Sequence, residues 1–379
     1  MDSADQLLLM RSVELAERGM FSVTANPRVG CVLFNNGRII GRGYHQRAGG
    51  AHAEVNALLD ARRQHAGEQV KGATAYVSLE PCSHAGRTPA CTGALIDAGV
   101  ARVVVAMLDP HPKVAGEGVA QLREAGIDVD VFSHTEAGLV EAEQLNYGHR
   151  KRMLTQRPYV RIKVAQSLDG RTAMASGESK WITGPAARRD VQYWRARSGA
   201  VVTGAGTVVA DNPSLSVREP LLAAVIDGEQ VLRQPLRVVL DSTRRAPADS
   251  AIFADGQETL WVEAPGTDAR PDIDAVLADL AERGCNEVLV EAGGALVGEF
   301  LQRDIWDELL IYTAPKFLGS DARPTADLHL TTMSQAIEAK IASVDQVGAD
   351  TRTRLVRLDR NLETVDLVPR GLPDGFLSA

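Results

Sequence analysis

His52, Glu54, Cys82 and Cys91 are the residues of this chain whose types and spacing most directly imply chemistry. One imidazole and two thiols form a donor set that zinc accepts, and three protein ligands leave a fourth position open for water. A purely structural site would want a fourth protein ligand, and His84 and His45 are the residues to check for it. Zinc held this way lowers the pKa of its water toward ~7. Attack on a ring carbon bearing an amine then needs a proton shuttle. Glu54 is the candidate, taking the water proton and passing it to the ring nitrogen and the departing ammonia. Residues i and i+2 do not share a face in mid-helix, so His52 and Glu54 converge only in a helix's first turn. Gly49-Gly50 just upstream fits a helix that starts there. Cys82 follows a strand and Pro81; if it opens a helix, the free N–H groups there would favour its thiolate.

A second group of candidates lies in the other half. Gly204 and Gly206 follow a strand, and Gly293-Gly294 follow another and open a helix. Glycine lets the backbone approach a phosphate, and a helix N-terminus offers N–H groups to it. Neither segment is a G-x-G-x-x-G fingerprint, so a Rossmann domain is not supported. Taken alone, Gly293-Gly294 is more often a tight strand-to-helix turn.

The elements that must position these residues follow from periodicity and turn residues. In the first half, helices are expected over residues 3–18, 52–64, 89–98 and 117–124. Strands are expected over 29–34, 39–43, 73–79, 102–107 and 127–132, the first two joined as a hairpin by Asn35-Asn36-Gly37. Residues 135–155 read as a helix running into His149-Arg150-Lys151-Arg152, taken as a solvated linker. The second half alternates as well. Strands are expected at 200–203, 236–241, 258–262, 287–291 and 308–314 after a strand at 159–164, with helices at 186–197, 273–283 and 295–302. Both halves are α/β. The boundary falls near 148–157, giving domains 1–150 and 158–370, and Arg370–Ala379 reads as a loose tail.

Composition bounds the function. A chain of 379 residues carries two domains comfortably. A net charge of -8 and 4% aromatic residues argue against a nucleic-acid partner, which needs a dense basic surface and stacking platforms. No apolar run approaches the ~18–20 residues of a membrane span. The opening Met1-Asp2-Ser3-Ala4-Asp5 places acids where a secretory signal carries cations, so a cytoplasmic protein is expected. Four cysteines do not make a disulfide framework, and Cys31 and Cys285 read as core thiols.

The first cluster resembles the cytidine-deaminase superfamily, whose signature is H-x-E with P-C-x-x-C. Here eight residues, Ser83 to Ala90, separate the cysteines. That departure is informative. The run Glu80-Pro81-Cys82-Ser83-His84-Ala85-Gly86-Arg87-Thr88-Pro89-Ala90-Cys91 is similar to the riboflavin-pathway deaminases. So are Asn26-Pro27-Arg28-Val29-Gly30, Gly43-Tyr44-His45 and Ala48-Gly49. The resemblance implies that Asn26 binds the pyrimidine ring and that His45, His84, Arg87 and Thr88 also touch substrate, Arg87 offering its fork of donors to a phosphate.

The second half resembles the riboflavin-pathway reductases, whose fold is like dihydrofolate reductase, over residues 158–360. The resemblance rests on Arg161 to Arg171, Ser179 to Thr183, Thr203 to Val208, Asp211-Asn212-Pro213 and Val290 to Leu296, in that order. It implies NADPH contacts at Ala165, Trp181, Thr207, Asp211, Gly293, Gly294, Ala295, Leu296, Val297, Gly298 and Glu299. Substrate contacts are implied at Ser179, Arg195, Leu215, Arg218 and Glu291, with Arg195 and Arg218 on the phosphate and Lys163 and Asp169 near the reaction centre. The expected function is zinc-dependent deamination of a GTP-derived diamino-ribosylaminopyrimidinone phosphate. NADPH-dependent reduction of its ribosyl chain to ribityl follows, in a homo-oligomer. The rival is a nucleoside or RNA-editing deaminase with an unrelated second domain.

Overall fold

Asn36 and Gly37 set the first hairpin: successive φ values of 49° and 77° suit the tight turn that joins twisted antiparallel strands. They connect β1 (Gly30–Asn35) to β2 (Arg38–Tyr44). This is a computed structural model; it describes residues 3–84, 90–111, 115–132, 140–218, 232–264 and 270–358. The chain divides into two compact units, the first ending at Arg157 and the second beginning at Pro158.

In the first unit, α1 (Ser3–Glu17) precedes the hairpin. After it come α2 (Ala53–Arg63), β3 (Thr74–Val77), α3 (Cys91–Asp97), β4 (Arg102–Val105), α4 (Glu117–Glu124), β5 (Asp128–Val131), α5 (Val140–Leu145) and α6 (Tyr147–Thr155). The sheet order is β2-β1-β3-β4-β5, with β1 antiparallel to both neighbours and β3, β4 and β5 parallel. Alternation divides the core. Cys31, Leu33, Ala75, Val77, Val103 and Val105 face α2, α3 and α4, whereas Val32, Tyr76 and Val104 pack under Leu8, Leu9 and Val13 of α1. A Cβ on Gly43 would lie 2.3 Å from both the Ala53 carbonyl oxygen and the Ala57 nitrogen. Only a bare backbone there lets the first turn of α2 sit on β2.

The basic run expected as a solvated linker belongs instead to α6. His149 is buried with Nε2 3.4 Å from Asp109, and Arg152 donates to the Ala25 carbonyl at 2.6 Å. Positions three apart share a helical face, so a run of four charged or polar residues can turn half of itself inward.

The second unit contains β6 (Tyr159–Ser167), β7 (Arg171–Ala173), α7 (Pro185–Arg197), β8 (Ala200–Gly204), α8 (Ala205–Asp211), β9 (Leu236–Leu240), α9 (Ala251–Ala254) and β10 (Thr259–Val262). These are followed by α10 (Ile273–Glu282), β11 (Glu287–Glu291), α11 (Gly294–Gln302), β12 (Glu308–Ala314), β13 (Arg323–Pro324), β14 (Ala339–Val347) and β15 (Asp350–Arg357). The main sheet runs β10-β9-β8-β11-β6-β12-β15-β14, parallel from β10 to β12 and antiparallel thereafter. β6 lies between β11 and β12, so its carboxy-terminal end opens among neighbouring strand ends, where ligands bind in open α/β sheets. Cys31 and Cys285 are buried core thiols. No helix among the described residues is long and apolar enough to cross a membrane.

Beneath α7 the sheet carries a buried ion network. Glu308 accepts from Arg161 Nε at 2.8 Å and Arg354 Nε at 2.6 Å, and Glu287 accepts from Arg161 Nη1 at 3.0 Å and Arg197 Nε at 2.7 Å. Burial alone would raise the Glu308 pKa, but Arg161 and Arg354 outweigh it and hold the carboxyl at about 2. A depressed carboxyl stabilises the fold above its unfolded pKa and ceases to do so as pH falls through its folded one. The second unit is therefore expected to lose stability between about pH 4.5 and 2. Melting curves across that window check this, and a flat profile would show the network to be neutral.

Candidate active sites

His52 is the N-cap of α2 and Glu54 lies in its first turn, the geometry that the i, i+2 spacing demands. His52 Nδ1 sits 3.3 Å from Cys91 Sγ and 3.6 Å from Cys82 Sγ, with all three donor atoms within 4.8 Å of one another. A tetrahedral zinc with bonds of ~2.0–2.3 Å sets its donors about 3.5 Å apart, so these side chains fit the ion. Cys82 opens no helix of its own; the helix expected over 89–98 begins at Cys91, and its first N–H points at Cys82 Sγ from 3.4 Å. The Cys91 thiol, with His52 and that N–H, holds the Cys82 thiol well below its ordinary range. Glu54 is buried, and burial followed by the negative charge on Cys82 pushes its carboxyl up to about 7, a value suited to exchanging protons at neutral pH.

Neither histidine considered as a fourth ligand joins the cluster among the described residues. His45 meets the Ala51 carbonyl through Nδ1 at 3.0 Å and the Asn26 amide through Nε2 at 3.0 Å, and its ring stands edge-on to His52 at 5.1 Å. Burial keeps it neutral, with Nδ1 donating and Nε2 accepting. Asn26, His45 and His52 thus form a contiguous row. His84 is exposed, with its ring 6.1 Å from that of His111. Arg87 and Thr88 lie outside the described residues.

Two supports were not foreseen. Glu80 accepts from the backbone N–H groups of Asp109, Gly116, Gly118 and Val119 at 2.9–3.2 Å, tying the Pro81-Cys82 segment to the start of α4. Asn146, between α5 and α6, accepts from the Arg28 N–H at 2.8 Å and donates to its carbonyl at 2.9 Å, fixing the loop that bears Asn26. A lone carboxylate and a lone amide carry no spacing signal that would have revealed either.

In the second unit, Lys163 on β6 pairs across the sheet with Glu291 on β11, their charged atoms 3.8 Å apart. Arg195 of α7 grips Glu291 with Nε at 2.5 Å and Nη2 at 2.9 Å. Its fork is committed to this carboxylate, so of the two arginines expected on the phosphate, the exposed Arg218 is the one turned outward. Burial would raise the Glu291 pKa, but Arg195 and Lys163 lower it; burial draws the Lys163 ammonium below the ordinary lysine range. Asp169 accepts from Ser167 Oγ at 2.5 Å and from the N–H groups of Leu318 and Gly319, so its carboxylate ties the β6 end to a neighbouring loop.

Ser179 donates to Asp211 at 2.8 Å, and Trp181 is 62% exposed with Arg188 4.4 Å above its ring. A Cβ on Gly206 or on Gly293 would meet nothing within 4 Å, and one on Gly204 would lie 3.6 Å from Leu296. Both glycine turns therefore meet at the strand ends with open space above Gly206 and Gly293, a cradle that fits a phosphate-bearing nucleotide. Thr207 lies half-buried in α8, Ala165 half-buried on β6, and Gly294–Leu296 begin α11. Farther along α11 the side chains turn elsewhere. Val297 is in the core, Gly298 packs on the Asp327 backbone, and Glu299 pairs with Arg270 and Arg303.

Residues 2–107 match the cytidine and deoxycytidylate deaminase zinc-binding region, and residues 158–353 match the RibD C-terminal domain. The chain is 48% identical to the riboflavin biosynthesis protein RibD of Escherichia coli, covering 93% of this chain and 99% of that one. With its Haemophilus influenzae counterpart it is 43% identical, covering 92% and 96%. Acinetobacter baumannii RibD superimposes with a TM-score of 0.83 at 44% identity, covering 93% of this chain and 98% of that one. A Thermotoga maritima diaminohydroxyphosphoribosylaminopyrimidine deaminase/5-amino-6-(5-phosphoribosylamino)uracil reductase gives 0.81 at 32%, with the same coverage. The second half is thus no unrelated appendage to a nucleoside or RNA deaminase. With its zinc-binding region and reductase domain matched in order, the chain belongs to the RibD family of bifunctional deaminase/reductase enzymes in riboflavin biosynthesis.

Proposed function

We propose that the first unit deaminates the GTP-derived diamino-ribosylaminopyrimidinone phosphate and that the second reduces the product's ribosyl chain to ribityl with NADPH. The observation that carries this reading is the convergence of His52, Cys82 and Cys91 beside a buried Glu54. Zinc on those ligands supplies the Lewis acidity that makes water a nucleophile at neutral pH. Glu54 takes one proton from the attacking water and gives it to the ring nitrogen, then takes the second from the new hydroxyl and gives it to the leaving ammonia. Asn26 and His45 orient the pyrimidine beside His52.

In the reductase, NADPH supplies the hydride, which adds to the aldehyde or imine carbon of the opened sugar. Ala165, Trp181, Thr207, Asp211 and the first turn of α11 would hold the cofactor. Ser179, Leu215 and Arg218 would hold the substrate, Arg218 on its phosphate. Lys163, 3.8 Å from Glu291, would give the proton that follows the hydride onto the adjoining heteroatom. The protein would work on small molecules as a cytoplasmic homo-oligomer; its net charge of -8 speaks against a nucleic-acid partner.

Mass spectrometry after incubation with the undeaminated pyrimidine phosphate and NADPH tests the whole reading. The expected product has exchanged an amine for oxygen and gained two hydrogens; unchanged substrate with zinc bound would overturn the substrate assignment. Lys163→Ala is expected to slow NADPH oxidation by about 10²-fold or more while leaving ammonia release at its normal rate. Equal loss of both activities would mean global damage and remove the basis for two independent sites, and reduction at the parental rate would remove Lys163 from the reaction.

A further inference from the structure

The segment from Asn212 to Arg218 leaves α8 without regular secondary structure, yet it is held at almost every residue. Asn212 Oδ1 accepts from the Ala251 N–H at 2.7 Å. Gln234 pairs with both backbone groups of Val217, at 2.7 and 3.0 Å, and Gln192 accepts from the Arg218 N–H at 2.8 Å. Between these ties, Asn212 and Leu215 adopt φ of 43° and 52°, the left-handed region that residues with a Cβ rarely occupy. Such conformations persist only where the surroundings over-determine them, and they gather at functional sites.

Arg237, at the start of β9 and 0% exposed, holds the segment from below. Its Nη1 donates to Asp255 Oδ2 at 2.7 Å, to the Ser214 carbonyl at 3.1 Å and to Ser216 Oγ at 3.4 Å. Its Nη2 donates to Asp255 Oδ1 at 2.7 Å and to the Gln257 carbonyl at 2.8 Å. Ser216 Oγ in turn donates to Asp255 at 2.9 Å. If Arg237, buried while its partner Asp255 is partly exposed, merely filled space, an apolar side chain could replace it at little cost. Arg237 does what apolar groups cannot: it fixes the residues on either side of Leu215. The same segment reaches the reaction centre, because the Ser216 carbonyl lies 3.4 Å from Arg195 Nη1, and Arg195 grips the Glu291 that faces Lys163.

We propose that Arg237 and Asp255 are positioning residues of the reductase, holding residues 212–218 in the shape that buries the Leu215 side chain and presents the exposed Arg218 to the phosphate-bearing substrate. The proposal rests on the reading of Arg218 as a substrate contact. Arg237 keeps the Asp255 carboxyl down at about 2, so the pair stays charged throughout an assay at neutral pH.

The test uses the full-length, zinc-loaded enzyme with NADPH and the deaminated ribosylaminopyrimidine phosphate. Asp255→Asn and Arg237→Lys are expected to raise KM for that substrate by about tenfold or more, as loss of orientation does. KM for NADPH, kcat and ammonia release from the first unit should stay within about twofold, and Asp255→Glu should recover most of the loss. A parallel rise in both KM values with a fall in kcat would mean general damage and overturn the proposal. If Arg237→Lys does not fold, Asp255→Asn decides, because Asp255 is partly exposed. Arg218→Ala separates the two layers. If it raises KM while folded Asp255→Asn does not, the positioning role falls and the substrate contact stands. If Arg218→Ala leaves KM unchanged, the contact reading falls and the proposal with it.

Discussion

Glu54→Gln is expected to lower kcat for deamination by about 10²–10⁴-fold, the range a general acid–base supplies. The amide has nearly the shape of the carboxylate, so α2 should keep its first turn and His52 its place. Zinc content, measured by atomic emission, should therefore remain at one ion per chain, about as for the parent. NADPH-dependent reduction of the deaminated substrate should be unaffected, because Glu54 belongs to the first unit. The pH profile gives an independent view. A carboxyl raised to about 7 by burial and then by the charge on Cys82 is poised to give and take protons near neutrality. Its amide replacement should leave a residual rate without that ionisation. A variant that deaminates at the parental rate would remove Glu54 from the proton path.

Glu308→Ala should produce the largest loss of stability. Glu308 is 1% exposed, and removing it leaves Arg161 and Arg354 buried without the carboxylate that receives their Nε donors. Breaking one side of a buried ion pair costs about 3–5 kcal/mol, because the surviving charge cannot be resolvated. For a domain of this size that corresponds to a fall in melting temperature on the order of 10 °C. The loss should appear in the transition that extinguishes reductase activity, with zinc-dependent deamination surviving to higher temperature. Trp194 makes the damage visible, since Arg161, Arg197, Arg352 and Arg354 lie 4.7–5.9 Å from its ring and a rearranged network should shift its fluorescence. A melting temperature within 2 °C of the parent, about the effect of 1 kcal/mol or less, would refute the expectation.

What could be read from the sequence was what chemistry or turn geometry forces upon residue types. A zinc site tolerates few donors, so His52, Cys82 and Cys91 announce themselves, and the i, i+2 offset to Glu54 predicts its place in the first turn. Asn36-Gly37 identifies its hairpin because few pairs accept positive φ twice. The β14–β15 hairpin was not assigned, and the reason is physical. The inward positions of β15 include Arg352 and Arg354, whose burial depends on Asp345 of β14 and on Asp190 and Glu308 far away in sequence, so the apolar alternation that marks a strand is missing. Arg237 reads as an ordinary charge entering a strand, and only the folded chain brings Asp255 beneath it. Cys82 opens no helix because Glu80 fastens that stretch to α4, and the helix expected over 89–98 starts at Cys91.

The Asn146 clasp bears on how the polypeptide can be dissected. The zinc-binding region that defines the family stops at residue 107, yet the backbone of Arg28 is held by Asn146 and the carbonyl of Ala25 by Arg152, dozens of residues later. A fragment cut to that matched region would keep His52, Cys82 and Cys91 and lose the brace behind the loop that bears Asn26. Cutting at residue 150 would sever α6 before Arg152. The natural seam for separating, swapping or re-fusing the two catalysts is the peptide bond between Arg157 and Pro158, where one unit closes its last helix and the other opens its central strand.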